Sequence, residues 1–137
     1  MATSQDLKRI TEARIENFEN LVRTEDWFWA SYTMAMALEC AFKAMVCKTL
    51  NLPIYPEDSS IQKKNIINFF CTHEFEPLLM LSGLSTYIRT NVEVYQNWSD
   101  FTKEFPGQWT TIRYDFQRQQ QFDKIKVERL RNNLLNQ

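Results

Sequence analysis

Three short stretches of this sequence hold side chains that could do chemistry. The first is T-H-E-F-E, residues 72–76, with His73, the only histidine of the chain. An imidazole titrates near neutrality, so His73 could serve as a general base or an anion contact. The second is W-T-T-I-R-Y, residues 109–114, ending in Arg113 and Tyr114. A guanidinium fork can hold a phosphate through two hydrogen bonds, and a tyrosine can stack or donate its hydroxyl. Arg118 and Lys124 could extend such a patch. The third is A-L-E-C-A-F-K-A-M, residues 37–45, which places Glu39 and Lys43 four residues apart. On a helix that spacing puts both on one face, acid first, the favourable order.

Each stretch also has a plain structural reading. A lone histidine at a helix start is commonly a cap or a packed polar group. Glu39 and Lys43 could simply satisfy each other at a bundle surface or dimer seam. Arg113 could pair with an acid such as Glu39 and lock its loop to the core. Trp98 and Trp109 read as core anchors rather than base-stacking platforms. His73 and Glu76 lie three apart, but a di-iron bundle site needs two Glu-x-x-His pairs and two further carboxylates. Here the order is reversed and a second histidine is missing. No zinc spacing, phosphate-cradling glycine loop or Ser-His-Asp arrangement is present, so neither a cofactor nor a metal is expected.

The elements that must position these residues are helices. The 137 residues contain only Gly83 and Gly107 as glycines and four prolines, too few breakers for an all-β chain. The apolar fraction is 44%, as in a folded globular domain. The run Trp27 to Leu50 is apolar on nearly every side and reads as a central, buried helix. Glu39 and Lys43 argue against a membrane span, since each charge near mid-span costs about 3 kcal/mol. A first helix is predicted over Ser4–Leu21, capped by Thr3 or Ser4, with Asp6 in its first turn. Pro53 and Pro56 should stop the central helix, and residues 51–60 read as a linker. Ser60 could cap a short helix over 61–70. A further helix should begin at Thr72 or His73 and end at Gly83. Ser85 could cap a helix over 86–95, and Asn97 a short turn. The stretch 108–116, aromatic and β-branched, could be extended or a short helix, and reads as a largely irregular loop packed down by Trp109. The last helix is predicted over about Gln117–Asn136, with Phe122, Ile125, Leu130 and Leu134 on its apolar side. The expected fold is therefore all-α: one domain over residues 1–137, an up-and-down helical bundle with two long N-terminal helices, short middle helices and a long C-terminal helix.

Charge is uneven along the chain. Residues 1–60 carry six basic and nine acidic side chains, and residues 113–137 carry six and three. The basic end could meet an anion such as a nucleotide or RNA, or could be a solvated helix face. Cys40, Cys47 and Cys71 are odd in number and scattered, which reads as reduced core residues of a cytoplasmic protein.

Taken together and in order, ALECAFKAM, THEFEPLLMLSGL (residues 72–84) and WTTIRY resemble the HEPN family (higher eukaryotes and prokaryotes nucleotide-binding), over about residues 5–135. The resemblance implies a helical bundle, often dimeric. Family members act as RNA-cleaving toxins, as partners of minimal nucleotidyltransferases, or as non-catalytic nucleotide- or RNA-binding modules in toxin–antitoxin, defence or stress systems. The ribonuclease members carry an Arg and a His with four to six residues between them. Here the positions that would precede His73 hold Ile66, Ile67 and Asn68, and those that would follow Arg113 hold Arg118, Gln119 and Gln120. The expectation is a non-catalytic module, a homodimer or the partner of a nucleotidyltransferase-type protein, with candidate ligand residues Arg113, Tyr114, Arg118, His73, Glu39 and Lys43. The alternatives are a divergent metal-independent ribonuclease and a purely structural dimerisation domain.

Overall fold

A computed structural model describes residues 2–56 and 70–135. Among them are only helices, with no strand: α1 (Ser4–Arg23), α2 (Trp27–Thr49), α3 (Phe75–Ser82), α4 (Ser85–Thr90), α5 (Val92–Thr102), a 3-10 helix (Trp109–Tyr114), α6 (Phe116–Gln119) and α7 (Lys124–Leu135). The two long N-terminal helices and the C-terminal helix agree with the expected all-α bundle. The short helix expected over 61–70 lies, apart from Phe70, outside the described residues.

α1 starts where its cap residues dictate. Asp6 N–H donates to Thr3 Oγ1 at 3.1 Å, and Thr3 N–H donates back to Asp6 Oδ2 at 3.0 Å. This reciprocal capping box satisfies two amides the helix cannot. The carboxyl of Asp6 is held below its ordinary range, first by the Thr3 backbone hydrogen bond and then by the Thr3 hydroxyl. Both long helices end in the same way. Asp26 N–H donates to Leu21 O at 2.9 Å and Glu25 N–H to Val22 O at 3.0 Å; Leu52 N–H donates to Cys47 O at 2.8 Å and Asn51 N–H to Lys48 O at 3.3 Å. These are Schellman closures, with Glu25 (φ 59°) and Asn51 (φ 53°) in the left-handed region usually given to glycine. Helix α2 therefore stops at Asn51, before Pro53 is reached. The short link Thr24–Asp26 forces α2 back along α1, and Ser4 Oγ reaches Ala44 O at 3.3 Å.

α2 supplies the centre of the core. Phe28, Ala30, Tyr32, Met34, Ala35, Phe42, Val46 and Cys47 are buried among residues from every other long element. It is not enclosed all round: Trp29, Ala41 and Lys48 are exposed. No helix among the described residues is long and apolar enough to cross a membrane. The segment after α2 is a loop over its described residues, as expected, and it is pinned down because Tyr55 is fully buried, with its hydroxyl donating to Phe70 O at 2.7 Å.

Several boundaries differ from the sequence expectation. α3 begins at Phe75 rather than Thr72, because Thr72 Oγ1 accepts Glu74 N–H at 3.0 Å and holds 72–74 as a turn. Gly83 ends α3 as expected, at φ 80°. Asn91, not Ser85, divides the next stretch: its side chain caps α5 through Val94 N–H at 3.2 Å. Asn97 is interior to α5, so it caps nothing. The last helix is split, since Asp115 caps the short α6 and α7 begins only at Lys124. The split rotates the apolar face: Val127 and Leu130 are buried, while Ile125 is 78% exposed. Ion pairs bolt α7 to the end of α5, with Lys126 to Glu104 at 3.1 Å and Arg129 to Asp100 at 3.0 Å. Of the cysteines, Cys47 is buried but Cys71 is exposed, against its expected place in the core.

Candidate functional site

The turn before α3 brings His73 onto the central helix. Its Nδ1 is hydrogen-bonded to Glu39 Oε1, the carboxylate of a residue only 8% exposed. A carboxylate on Nδ1 favours the tautomer protonated there and fixes the ring, leaving Nε2 for other partners. The His73 side chain stays 57% exposed and lines a cleft of about 190 Å³ with Cys71, Thr72, Glu74, Gln108 and Thr110.

Trp109 ties this turn to the 3-10 helix. Its Nε1–H donates to the His73 carbonyl at 2.5 Å, so one indole holds the histidine backbone while Glu39 holds its ring. Around the indole lie Phe75, stacked parallel at 5.5 Å, Tyr32 edge-on at 5.2 Å and Phe105 edge-on at 5.9 Å. Trp109 is thus the core anchor the sequence suggested, and Trp98 is likewise buried. The stretch expected to be irregular is helical because Trp109 and Ile112, three residues apart, are both drawn into the core. That same three-residue period turns Arg113 and Tyr114 outward.

Tyr32 joins the two halves. It stands seven residues before Glu39, on the same face of α2. Burial pushes its phenol above the ordinary value, and the nearby positive charge of Arg113 pulls the other way. Glu39 also acts on it, raising it further. The Arg113 guanidinium lies over the Tyr114 ring, 5.0 Å from its centroid. Among the described residues no carboxylate stands within ion-pair distance of Arg113, so the expected lock onto Glu39 is not formed; Glu39 is taken by His73.

The candidate residues therefore divide. His73 and Glu39 are hydrogen-bonded, and Trp109 ties them to the 3-10 helix that carries Arg113 and Tyr114, with Tyr32 packed on the same indole as the member that sequence reasoning missed. The heptad spacing from Glu39 was a signal for it. Lys43 points elsewhere, its Nζ 5.1 Å from the buried Tyr55 ring, so the expected Glu39–Lys43 pair does not exist. Arg118 is also diverted: it donates to the Glu104 carbonyl at 3.0 Å and braces the loop before the 3-10 helix. Lys124 opens α7 and is exposed. Among the described residues, no group of three or more His, Cys, Asp or Glu could hold a metal ion.

Fold and site together define a helical bundle with an imidazole–carboxylate pair and an outward arginine on one wall of its central helix. Compared with known proteins, the chain matches no family model, no curated protein and no solved structure.

Proposed function

We propose that this chain is a non-catalytic HEPN-like binding or partner module whose Arg113 contacts the phosphate of a nucleotide or RNA. The observation that carries this reading is the state of Arg113. Its guanidinium lies over the Tyr114 ring, yet has no counter-ion among the described residues. An arginine held in place without a carboxylate is a ready donor for an oxyanion. In this reading the protein works as a homodimer or beside a nucleotidyltransferase-type protein, in a toxin–antitoxin, defence or stress setting. His73 and Glu39 then shape the wall beside the ligand rather than do chemistry.

The test is RNA binding and RNA integrity in one experiment. Labelled RNA should bind the purified protein, bind less tightly as salt rises, and lose affinity in Arg113→Ala. The RNA should emerge intact. Metal-independent cutting that both Arg113→Ala and His73→Ala abolish would replace this reading with the ribonuclease alternative. That alternative draws support from the Glu39–His73 pair, which Trp109 ties to the 3-10 helix that carries Arg113. A dimer that binds no nucleotide or RNA at any salt concentration would leave a structural dimerisation domain.

A further inference from the structure

Trp29 is the unexpected member of the Arg113 surface. It sits on the otherwise core-forming α2, yet is 40% exposed. Two edge-on contacts hold its indole, with Phe28 at 4.9 Å and Tyr32 at 5.4 Å between ring centroids. Tyr32 in turn packs edge-on against Trp109 at 5.2 Å, the residue that opens the 3-10 helix carrying Arg113, and Arg113 lies over Tyr114, which is 80% exposed. Trp29 and Tyr32 on α2 and Arg113 and Tyr114 on the 3-10 helix are therefore brought together through the contact of Tyr32 with Trp109. This run has an open aromatic ring at each end and a cation between them.

Arg113 is the cation of this run and the group that calls for an anionic ligand, while the exposed acids Glu25 and Asp26 lie just before Trp29. The Glu39 carboxylate is engaged by His73. The Asp115 carboxylate accepts Arg118 N–H at 3.1 Å as the cap of α6. A lone phosphate would use the arginine and leave both rings in water. A duplex would offer phosphates but keep its bases stacked inside. Only a strand with unpaired bases supplies flat π surfaces for the rings and a phosphate for the cation together.

Building on the reading of Arg113 as a phosphate contact, we propose that the ligand is single-stranded nucleic acid, with bases stacked on Trp29 and Tyr114 and the intervening phosphate on Arg113. RNA and DNA strands share this chemistry, and the ribose hydroxyl alone separates them. Stacking on an exposed aromatic ring tolerates any base, so the surface reads strandedness rather than sequence.

The experiment measures fluorescence anisotropy of a labelled, unstructured RNA strand, the same strand as DNA, its RNA duplex, and inorganic polyphosphate as competitor. The unmodified protein should prefer the single strands over the duplex, and polyphosphate should compete weakly. Trp29→Leu and Tyr114→Ala should each weaken single-strand binding roughly ten-fold or more, from the loss of one stacked base. Trp29→Phe, which keeps a ring, should restore most of the loss. Circular dichroism confirms that each variant is folded. If Arg113→Ala weakens binding but Trp29→Leu and Tyr114→Ala do not, the stacking inference fails while the phosphate contact stands. If Arg113→Ala changes nothing, the reading beneath it fails as well. If Trp29→Leu instead turns a dimer into monomers in sedimentation, the surface is a subunit seam and the proposal is overturned.

Discussion

Replacing His73 with alanine should destabilise the protein, although the side chain is more than half exposed. The reason lies in its partner. Glu39 is a buried carboxylate whose hydrogen bond comes from His73 Nδ1. A hydrogen bond to a charged group contributes about 1.5–3 kcal/mol net. Stripping one member from a fully buried ion pair costs about 3–5 kcal/mol. His73 opens to solvent, so water can reach part of the vacated site and the lower range applies. We expect His73→Ala to cost about 2 kcal/mol by that comparison. For a chain of this size that corresponds to a fall in Tm of roughly 6–10 °C. Glu39→Leu leaves behind only the half-exposed imidazole, which water can satisfy, and should cost about 1 kcal/mol or less. The double variant Glu39→Leu/His73→Ala removes the stranded charge along with its partner. It should therefore lie within about 1 kcal/mol of the unmodified protein, giving a coupling of about 1–2 kcal/mol. Urea unfolding at neutral pH, followed by far-ultraviolet circular dichroism, measures all four proteins. A His73→Ala variant within about 0.5 kcal/mol of the parent, with additive double-mutant behaviour, would refute the reasoning and leave the pair as a surface contact without energetic weight.

Two further outcomes test the scaffold. Gly83→Ala should lower stability by about 1–2 kcal/mol, because the residue is left-handed and an alanine pays that cost directly. The added Cβ would also come to 3.0 Å from Thr49 Cγ2, disturbing a side chain whose hydroxyl donates to Ser82 O at 2.6 Å; thermal melting reads the loss. Acid stability should depend on Asp100. Burial pushes its carboxyl up, but hydrogen bonds from Asn133 and Lys103 and the charges of Arg129 and Lys103 outweigh that, and it ends below its ordinary value of 3.8. A depressed folded value means that its stabilisation is fully present above that ordinary value and is lost as pH falls through the lower one. Asp100→Asn should therefore flatten the acid limb of the stability curve, measured by urea unfolding over a pH series. An unchanged limb would show that the α5–α7 ion pairs do not act through this carboxylate.

How much was legible beforehand depended on the range of the forces involved. The two long helices and their starts follow from local chemistry: the Thr3–Asp6 box and the apolar run Trp27–Leu50 need no distant partner. So does the end of α3, since Gly83 alone can turn left-handed there without steric cost. Boundaries that hang on competition between nearby hydrogen bonds were less readable. Thr72 holding Glu74, Asn91 capping α5 and Asp115 capping α6 each redirect a chain whose propensity alone would extend a helix. The exposure of Ile125 follows from that same split, because restarting the helix at Lys124 changes which face meets the core.

The pairing of charges was beyond sequence reasoning altogether. Spacing on α2 allowed Glu39 to meet Lys43, and chemistry allowed it to meet Arg113. It meets His73, because the turn at 72–74 and the Trp109 indole carry that imidazole across the bundle. Electrostatic partners are chosen by which charge arrives within a few ångströms once the core has packed, and linear spacing does not encode that distance. The sequence by itself determined that this chain is helical and that α2 is central. Only the tertiary structure decided that Arg113 and Tyr114 would leave the core, that Trp109 would tie their helix to His73, that Lys43 and Arg118 would be drawn away, and that Trp29 would be left open. Helix formation is settled by neighbours a turn away, whereas a site made from α2, the turn before α3 and the 3-10 helix exists only after the rings of Tyr32, Phe75, Phe105 and Trp109 have closed around one another.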